Sequence, residues 1–133
     1  GEMGRLCNGL KVSGGSIDRL ALTRDKAKEW NVTLVLKGAC TLIVRPDGYM
    51  RINWTANPAL ATAGTGDVLS GMTVGLLAQK LLPFDAASAA VYLHVAASEQ
   101  VSEKIGHTGL LASDLLPEIP RAIVKTGQKV QKK

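Results

Sequence analysis

Apolar residues recur at helical spacing in several long segments of this chain and bunch at strand-like density in three short ones. Leu20, Leu22, Ala27 and Trp30 supply one buried side of a helix that Ser16 or Asp18 can cap and Asn31 ends. Residues 32–36 form a compact β-rich run, short enough for a strand buried on both faces, and Lys37-Gly38-Ala39-Cys40 breaks it. Residues 41–45 and 49–53 flank Pro46-Asp47-Gly48, a hairpin signal. From Asp67 onward helix dominates, with Val68, Leu69, Met72, Leu76 and Leu77 on one period up to Gln79-Lys80. Pro83 and Asp85 announce the next helix, alanine-rich from Ala86 to about Ile105, and Gly106 stops it. Ser113 can cap a last helix through Lys125, kinked at Pro120 if Pro117 lies in its first turn. Residues 2–7 read as a short helical remnant before a polar Gly14-Gly15 loop. Strand, hairpin, small-residue loop and helices in that order predict half of a layered α/β fold.

Composition changes this picture little. A chain of 133 residues fits one domain. With aromatics at 4%, the core must come mainly from Ala, Val, Leu and Ile. Net charge is +5, but Lys125, Lys129, Lys132 and Lys133 supply four of those charges with no acid among residues 125–133, leaving +1 for the body. The basic balance is therefore a property of the tail, read as a solvated, frayed segment and not as a nucleic-acid interface. Cys7 and Cys40 lack metal-like spacing and a dense disulfide pattern, which fits free thiols in a reducing cytoplasm. His94 and His107 stand far apart, so no metal site of the His/Cys type is expected. Apolar stretches fall short of the ~20 residues that cross a bilayer, and no membrane partner is expected.

The chemistry concentrates in Asn57-Pro58-Ala59-Leu60-Ala61-Thr62-Ala63-Gly64-Thr65-Gly66-Asp67-Val68-Leu69. Gly64 and Gly66 permit unusual backbone angles and close ligand approach. The helix opening there has unpaired N–H groups and a positive dipole end, which together suit an anion such as a phosphoryl group. Asp67 at the same point can accept a proton from a hydroxyl attacking that phosphoryl group. It can equally serve only the helix dipole. Lys37-Gly38-Ala39-Cys40-Thr41 follows a buried-looking strand, where open α/β sheets place ligands. Gly38 allows approach, Thr41 offers a hydroxyl and Lys37 a point charge for phosphate. A plain turn is the other reading. Cys40 has no base beside it and is read as a small loop residue. Trp30 and Trp54 are read as packing groups, and His94 either as a structural histidine or as a neighbour of adenine.

Ala61-Thr62-Ala63-Gly64-Thr65-Gly66-Asp67-Val68-Leu69-Ser70-Gly71-Met72 followed by Gly75-Leu76-Leu77-Ala78-Gln79 resembles the anion-hole region of the ribokinase-like superfamily. Within it the sequence is similar to the NAD(P)H-hydrate dehydratase family. Leu34–Thr41 looks like that family's nucleotide loop, and Ala90–His94 and Gly109–Leu115 look like its last two helices. Gly1-Glu2-Met3-Gly4-Arg5-Leu6 looks like the end of its His-Pro-Gly-Glu segment. Ala63 departs from the family, which usually has Gly there.

The resemblance implies an α/β, ribokinase-like layered fold with a β-hairpin and several packed helices. Residues 1–125 are then the C-terminal half of a nucleotide-binding domain, and residues 126–133 its basic tail. It implies ADP or ATP as phosphoryl donor, ADP favoured, with Mg²⁺. Lys37, Gly38, Ala39, Cys40 and Thr41 contact the nucleotide, Gly64, Thr65 and Gly66 cradle its phosphates, and Asp67 meets the substrate. Asn57 orients phosphate or Mg²⁺-bound water, or else simply forms the turn before Pro58. The implied activity is repair of hydrated NADH or NADPH, a lyase reaction that proceeds through phosphorylation of the substrate hydroxyl. The implied setting is cytoplasmic, with the complete protein a homo-oligomer and the chain alone lacking one wall of its pocket. Two alternatives share these residues: a ribokinase-like kinase for a sugar or vitamin precursor, and a non-catalytic fragment.

Overall fold

Why Asp18 starts the first long helix is visible in its side chain. In the computed structural model, which describes residues 2–7 and 18–131, Asp18 Oδ1 accepts the N–H groups of Leu20 and Ala21 at 2.9 and 3.3 Å. Helix α2, Arg19–Trp30, follows the short α1, Glu2–Leu6, and closes at Asn31, which takes the left-handed conformation at φ 52°. Its buried line is Thr23 and Ala27, whereas Leu20 is exposed and Leu22 and Trp30 only half-buried. The apolar count placed the buried side one step wrong, because Thr23 buries its hydroxyl by donating to Arg19 O at 2.6 Å. The expected Ser16 cap and Gly14-Gly15 loop lie outside the described residues.

Three antiparallel strands come next, β1 (Leu34–Leu36), β2 (Thr41–Val44) and β3 (Met50–Asn53), in that spatial order. Leu34 pairs with Val44, and Val44 with Met50. The hairpin expected around residues 46–48 is present, with Asp47 Oδ1 accepting the Tyr49 N–H at 3.0 Å. β1 was expected to be buried on both faces. It is only half-buried, because its one strand neighbour among the described residues is β2. Central β2 is the doubly covered strand: Leu42 and Val44 pack with Ala27 of α2, and Ile43 points to the other layer.

That other layer is helical. A 3-10 turn, Pro58–Ala61, leads to α3 (Thr65–Ala78) and then to α4 (Pro83–Ile105). Leu69 of α3 joins Phe84, Ala87, Ala90 and Val91 of α4 against Ile43. The far side of α4 buries Leu93, Ala97 and Val101 against Leu110, Leu115 and Ala122. Small residues let α4 serve both neighbours, which is why so few aromatics suffice. The expected final helix is two helices, α5 (Ala112–Leu115) and α6 (Glu118–Gln131). Leu111, not Ser113, precedes the first, and its N–H is taken by Asp114 Oδ2 at 2.8 Å. Pro120 makes no kink, since it falls in the first turn of α6, where a missing N–H breaks no bond. α6 runs past Lys125 to Gln131, so the basic segment begins as helix.

Glu118 ties α6 to α4. Its buried Oε1 accepts from Lys104 Nζ and Arg121 Nη1, both at 2.6 Å. The Lys104 hydrogen bond, followed by the charges of both cations, outweighs burial and holds this carboxyl below its usual range. A depressed folded pKa contributes stability in full above the unfolded value of ~4.3, and that contribution fades as pH falls through the folded value. Thermal melts from neutral pH down to pH ~3 should therefore show a loss that Glu118→Gln, already uncharged, no longer shows.

Candidate active site

The chain from β1 to β2 is a short hairpin connection carrying Lys37, Gly38, Ala39 and Cys40, not the strand-to-helix crevice its sequence suggested. Antiparallel pairing of β1 with β2 makes it so. Arg19, from the first turn of α2, reaches across to this loop and donates through Nη2 to Lys37 O at 3.2 Å and Cys40 O at 3.4 Å. The guanidinium lies so close to Gly38 that a Cβ there would stand 2.6 Å from Nη2. Gly38 is thus explained by Arg19 as well as by any ligand. Nothing in the spacing of residues 18–20 and 37–40 foretold this clamp.

The loop before α3, expected to cradle an anion, is held by its own atoms. Thr65 is buried and donates its hydroxyl to Leu60 O at 2.8 Å and to Thr62 O at 2.9 Å. Its side chain is thereby committed to shaping the loop, which leaves its main chain to face a ligand. Gly64 is the N-cap of α3 at φ +85°, a conformation that L side chains rarely adopt. Gly66 differs from the expectation: it lies inside α3 without a positive φ, and a Cβ there would collide with Lys37 Nζ. Ala63 also lacks a positive φ, so alanine at this place is compatible with the loop. Within the first turn, Asp67 and Val68 N–H donate to Gly64 O at 3.1 and 3.2 Å, and Thr65 N–H reaches Thr62 O only at 3.4 Å. The helix start therefore combines the long-bonded Thr65 N–H, the dipole and the Lys37 ammonium above Gly66.

Both segments open into one cavity of about 1120 Å³. Lys37, Gly38, Ala39 and Thr41 line one side, and Gly64, Thr65, Gly66 and Asp67 the other. Cys40 does not line it; its carbonyl turns to Arg19 instead. Asp67 is exposed in the first turn of α3 and, among the described residues, is the only carboxylate of the lining. It enters no ion pair among the described residues. Trp54 is 72% exposed and Trp30 half-buried with Lys26 Nζ 5.6 Å from its ring, so neither packs in the core.

Asn57 resolves to an anchoring role. Its Oδ1 accepts the Ala59 N–H at 3.0 Å, and its amide nitrogen donates to Ser98 Oγ at 3.0 Å and Ser102 Oγ at 3.3 Å on α4. The amide is saturated by protein, which leaves the phosphate-orienting reading without a free donor. Asn57→Leu should lower stability by about 1–3 kcal/mol in chemical denaturation, because the Ala59 N–H and both serine hydroxyls lose a partner. His94, also in the lining, is buried, and burial holds its pKa below the usual imidazole value. The Thr65 backbone opposes that shift and the Lys37 charge adds to it, and the net effect favours the neutral ring. Ser98, Ser102 and Arg19 went unnoticed in the sequence. The i, i+4 recurrence of His94, Ser98 and Ser102 on an alanine-rich helix was the one available signal.

No cluster of three or more His, Cys, Asp and Glu that could hold a metal ion occurs among the described residues. A hard cation at this site would take oxygens from a bound phosphate, from water and at most from Asp67, a donor set that suits Mg²⁺. No helix among the described residues is long and apolar enough to cross a membrane.

The sequence profile of the family described as NAD(P)H-hydrate dehydratase matches residues 1–121. A bifunctional NAD(P)H-hydrate repair enzyme Nnr from Moorella thermoacetica is 42% identical over 131 residues, covering 98% of this chain and 24% of the relative. An ADP-dependent (S)-NAD(P)H-hydrate dehydratase from Neisseria meningitidis is 42% identical over 110 residues, covering 82% of this chain and 37% of the relative. An ADP/ATP-dependent NAD(P)H-hydrate dehydratase structure from Bacillus subtilis, co-crystallised with ATP/Mg²⁺, superposes with a TM-score of 0.77 at 38% identity. That match covers 81% of this chain and 39% of the neighbour, which identifies the fold as ribokinase-like. The chain thus spans well under half the length of the relatives it matches.

Proposed function

Since this chain belongs to the NAD(P)H-hydrate dehydratase family, we propose that it forms the nucleotide and phosphate side of an enzyme that restores hydrated NADH or NADPH by nucleotide-dependent dehydration, with ADP the favoured phosphoryl donor. One observation carries this reading: the Lys37–Thr41 and Gly64–Asp67 segments converge on a single cavity, and Lys37 Nζ stands over Gly66. A cation, a helix N-terminus and one unpaired carboxylate at one point suit phosphoryl transfer to a hydroxyl.

Each residue then has a task. Lys37, Gly38, Ala39 and Thr41 position the nucleotide, while the Gly64–Gly66 main chain and the Lys37 ammonium bear the negative charge of the group in transfer. Asp67 orients the substrate hydroxyl and accepts its proton as the oxygen–phosphorus bond forms and the bond to the donor's remaining phosphate breaks. The phosphorylated substrate then loses inorganic phosphate as the nitrogen of the hydrated, tetrahydronicotinamide ring lends its electron pair, and departure of a ring proton restores the double bond of the dihydronicotinamide. The net loss is one water per NADH, at the expense of one phosphoanhydride bond. Mg²⁺ travels with the nucleotide phosphates and adds charge stabilisation there. Cytoplasmic residence suits this reading, for both cysteines are free thiols.

The test is to mix the complete protein with hydrated NADH and either ADP or ATP while following NADH absorbance. Nucleotide-dependent recovery, faster with ADP, is the expected result. A stable phosphorylated product without NADH recovery would make the protein a small-molecule kinase.

A further inference from the structure

Helix α4 presents a polar stripe beneath the anion loop. His94, Ser98 and Ser102 fall at i, i+4 and i+8, on one side of the helix, and are exposed by only 6%, 0% and 8%. The serines are satisfied: Ser98 donates to Val95 O at 2.7 Å, and both hydroxyls accept from Asn57. His94 is not. Its Nε2 is enclosed and has no hydrogen-bond partner among the described residues, although the residue lines the same cavity as Lys37, Gly66 and Asp67. Neighbouring buried positions of α4 are Ala90, Val91, Leu93, Val95 and Ala97, so packing alone favours an apolar residue here. A buried polar nitrogen left unpaired is unfavourable and uncommon. An ordered water or a group of the occupied site has to supply its partner.

The chemistry of that partner follows from the ring's surroundings. His94 interacts with the Thr65 backbone, and a neutral imidazole donates from one nitrogen and accepts at the other. The tautomer with its N–H on Nδ1 leaves a lone pair on Nε2, which needs a donor. Among the described residues, Lys37 carries the only ammonium in the lining that His94 shares. An ammonium has three donors, and a phosphate need occupy only part of them.

Resting on the nucleotide reading of the cavity, we propose that His94 is a positioning residue that acts through Lys37. Its Nε2 accepts a hydrogen bond from the Lys37 ammonium once a phosphate draws that ammonium into the cradle, fixing its direction. His94 touches neither nucleotide nor reacting atoms. It links the floor of the anion loop, at Thr65, to the cation above it.

The experiment uses the complete protein and ADP. Imidazole ¹⁵N spectra should show His94 as the Nδ1–H tautomer, with Nε2 shifting on ADP saturation, while exposed His107 serves as the internal control. Lys37→Met should abolish the shift. His94→Leu should weaken ADP binding about tenfold, His94→Gln, which keeps an acceptor, should recover most of it, and the His94→Leu and Lys37→Met losses should be non-additive. A merely structural histidine would lower the melting temperature without that coupling. An unmoved Nε2 at ADP saturation, or fully additive losses, would overturn the proposal and leave the nucleotide reading intact. Failure of the unsubstituted protein to bind ADP would overturn both.

Discussion

Asp67→Asn is expected to lower dehydration turnover by about 10²–10⁴-fold, the usual contribution of a general base, while ADP affinity holds. Asparagine keeps the shape of the side chain and loses the proton acceptor. The surroundings make the experiment clean. Asp67 is exposed in the first turn of α3 and enters no ion pair among the described residues, so its removal breaks no visible tie. The helix dipole loses a favourable charge, worth typically ~0.3–1 kcal/mol, too little to unfold the loop. NADH recovery followed by absorbance gives the rate, and calorimetry with ADP gives the affinity. A variant keeping more than about half the normal rate would remove Asp67 from the chemistry. Lost ADP binding would instead return it to a structural role at the helix start.

Gly66→Val should weaken ADP binding by roughly 10–100-fold without destabilising the protein, as expected when a charge-assisted contact to phosphate is lost. The two effects separate because Gly66 is helical. It lacks a positive φ, and a side chain there suits the helix better than glycine does. Its Cβ, however, would occupy the place of the Lys37 ammonium, which is flexible enough to move aside. Displacing it removes the cation from the cradle, and the branched side chain crowds the N–H groups at the helix start. Calorimetry against thermal melting distinguishes these consequences. Unchanged ADP affinity in a protein that melts normally would exclude the α3 start as the phosphate site. At Gly64 the same change would strain the chain as well, since φ is +85° there, so loss of binding would be ambiguous.

Much of this molecule is local, and what is local was legible along the chain. Asp18 and Asn31 delimit α2 because capping and left-handed turns depend on residues within one turn of the helix end. Residues 46–48 make their hairpin, and Gly106 ends α4, for the same reason. The start of α3 with Asp67 in its first turn, and the membership of the NAD(P)H-hydrate dehydratase family, were readable because small residues and a carboxylate before an apolar helix form a contiguous signature. Contacts between distant segments were not readable. Sequence alone did not reveal that Arg19 would grip the Lys37–Cys40 loop, that Asn57 would be consumed by Ser98 and Ser102, or that Cys40 would turn out of the cavity. The same holds for β1, whose apolar run looks like a doubly buried strand although half-burial follows from having a single neighbour. Gly66 shows the limit most sharply: its sequence suggests a backbone need, whereas its reason is a lysine 29 positions away that only folding brings over it. Periodicity and caps report energies set within a few residues. Side-chain partners and burial depend on which elements the tertiary packing makes neighbours.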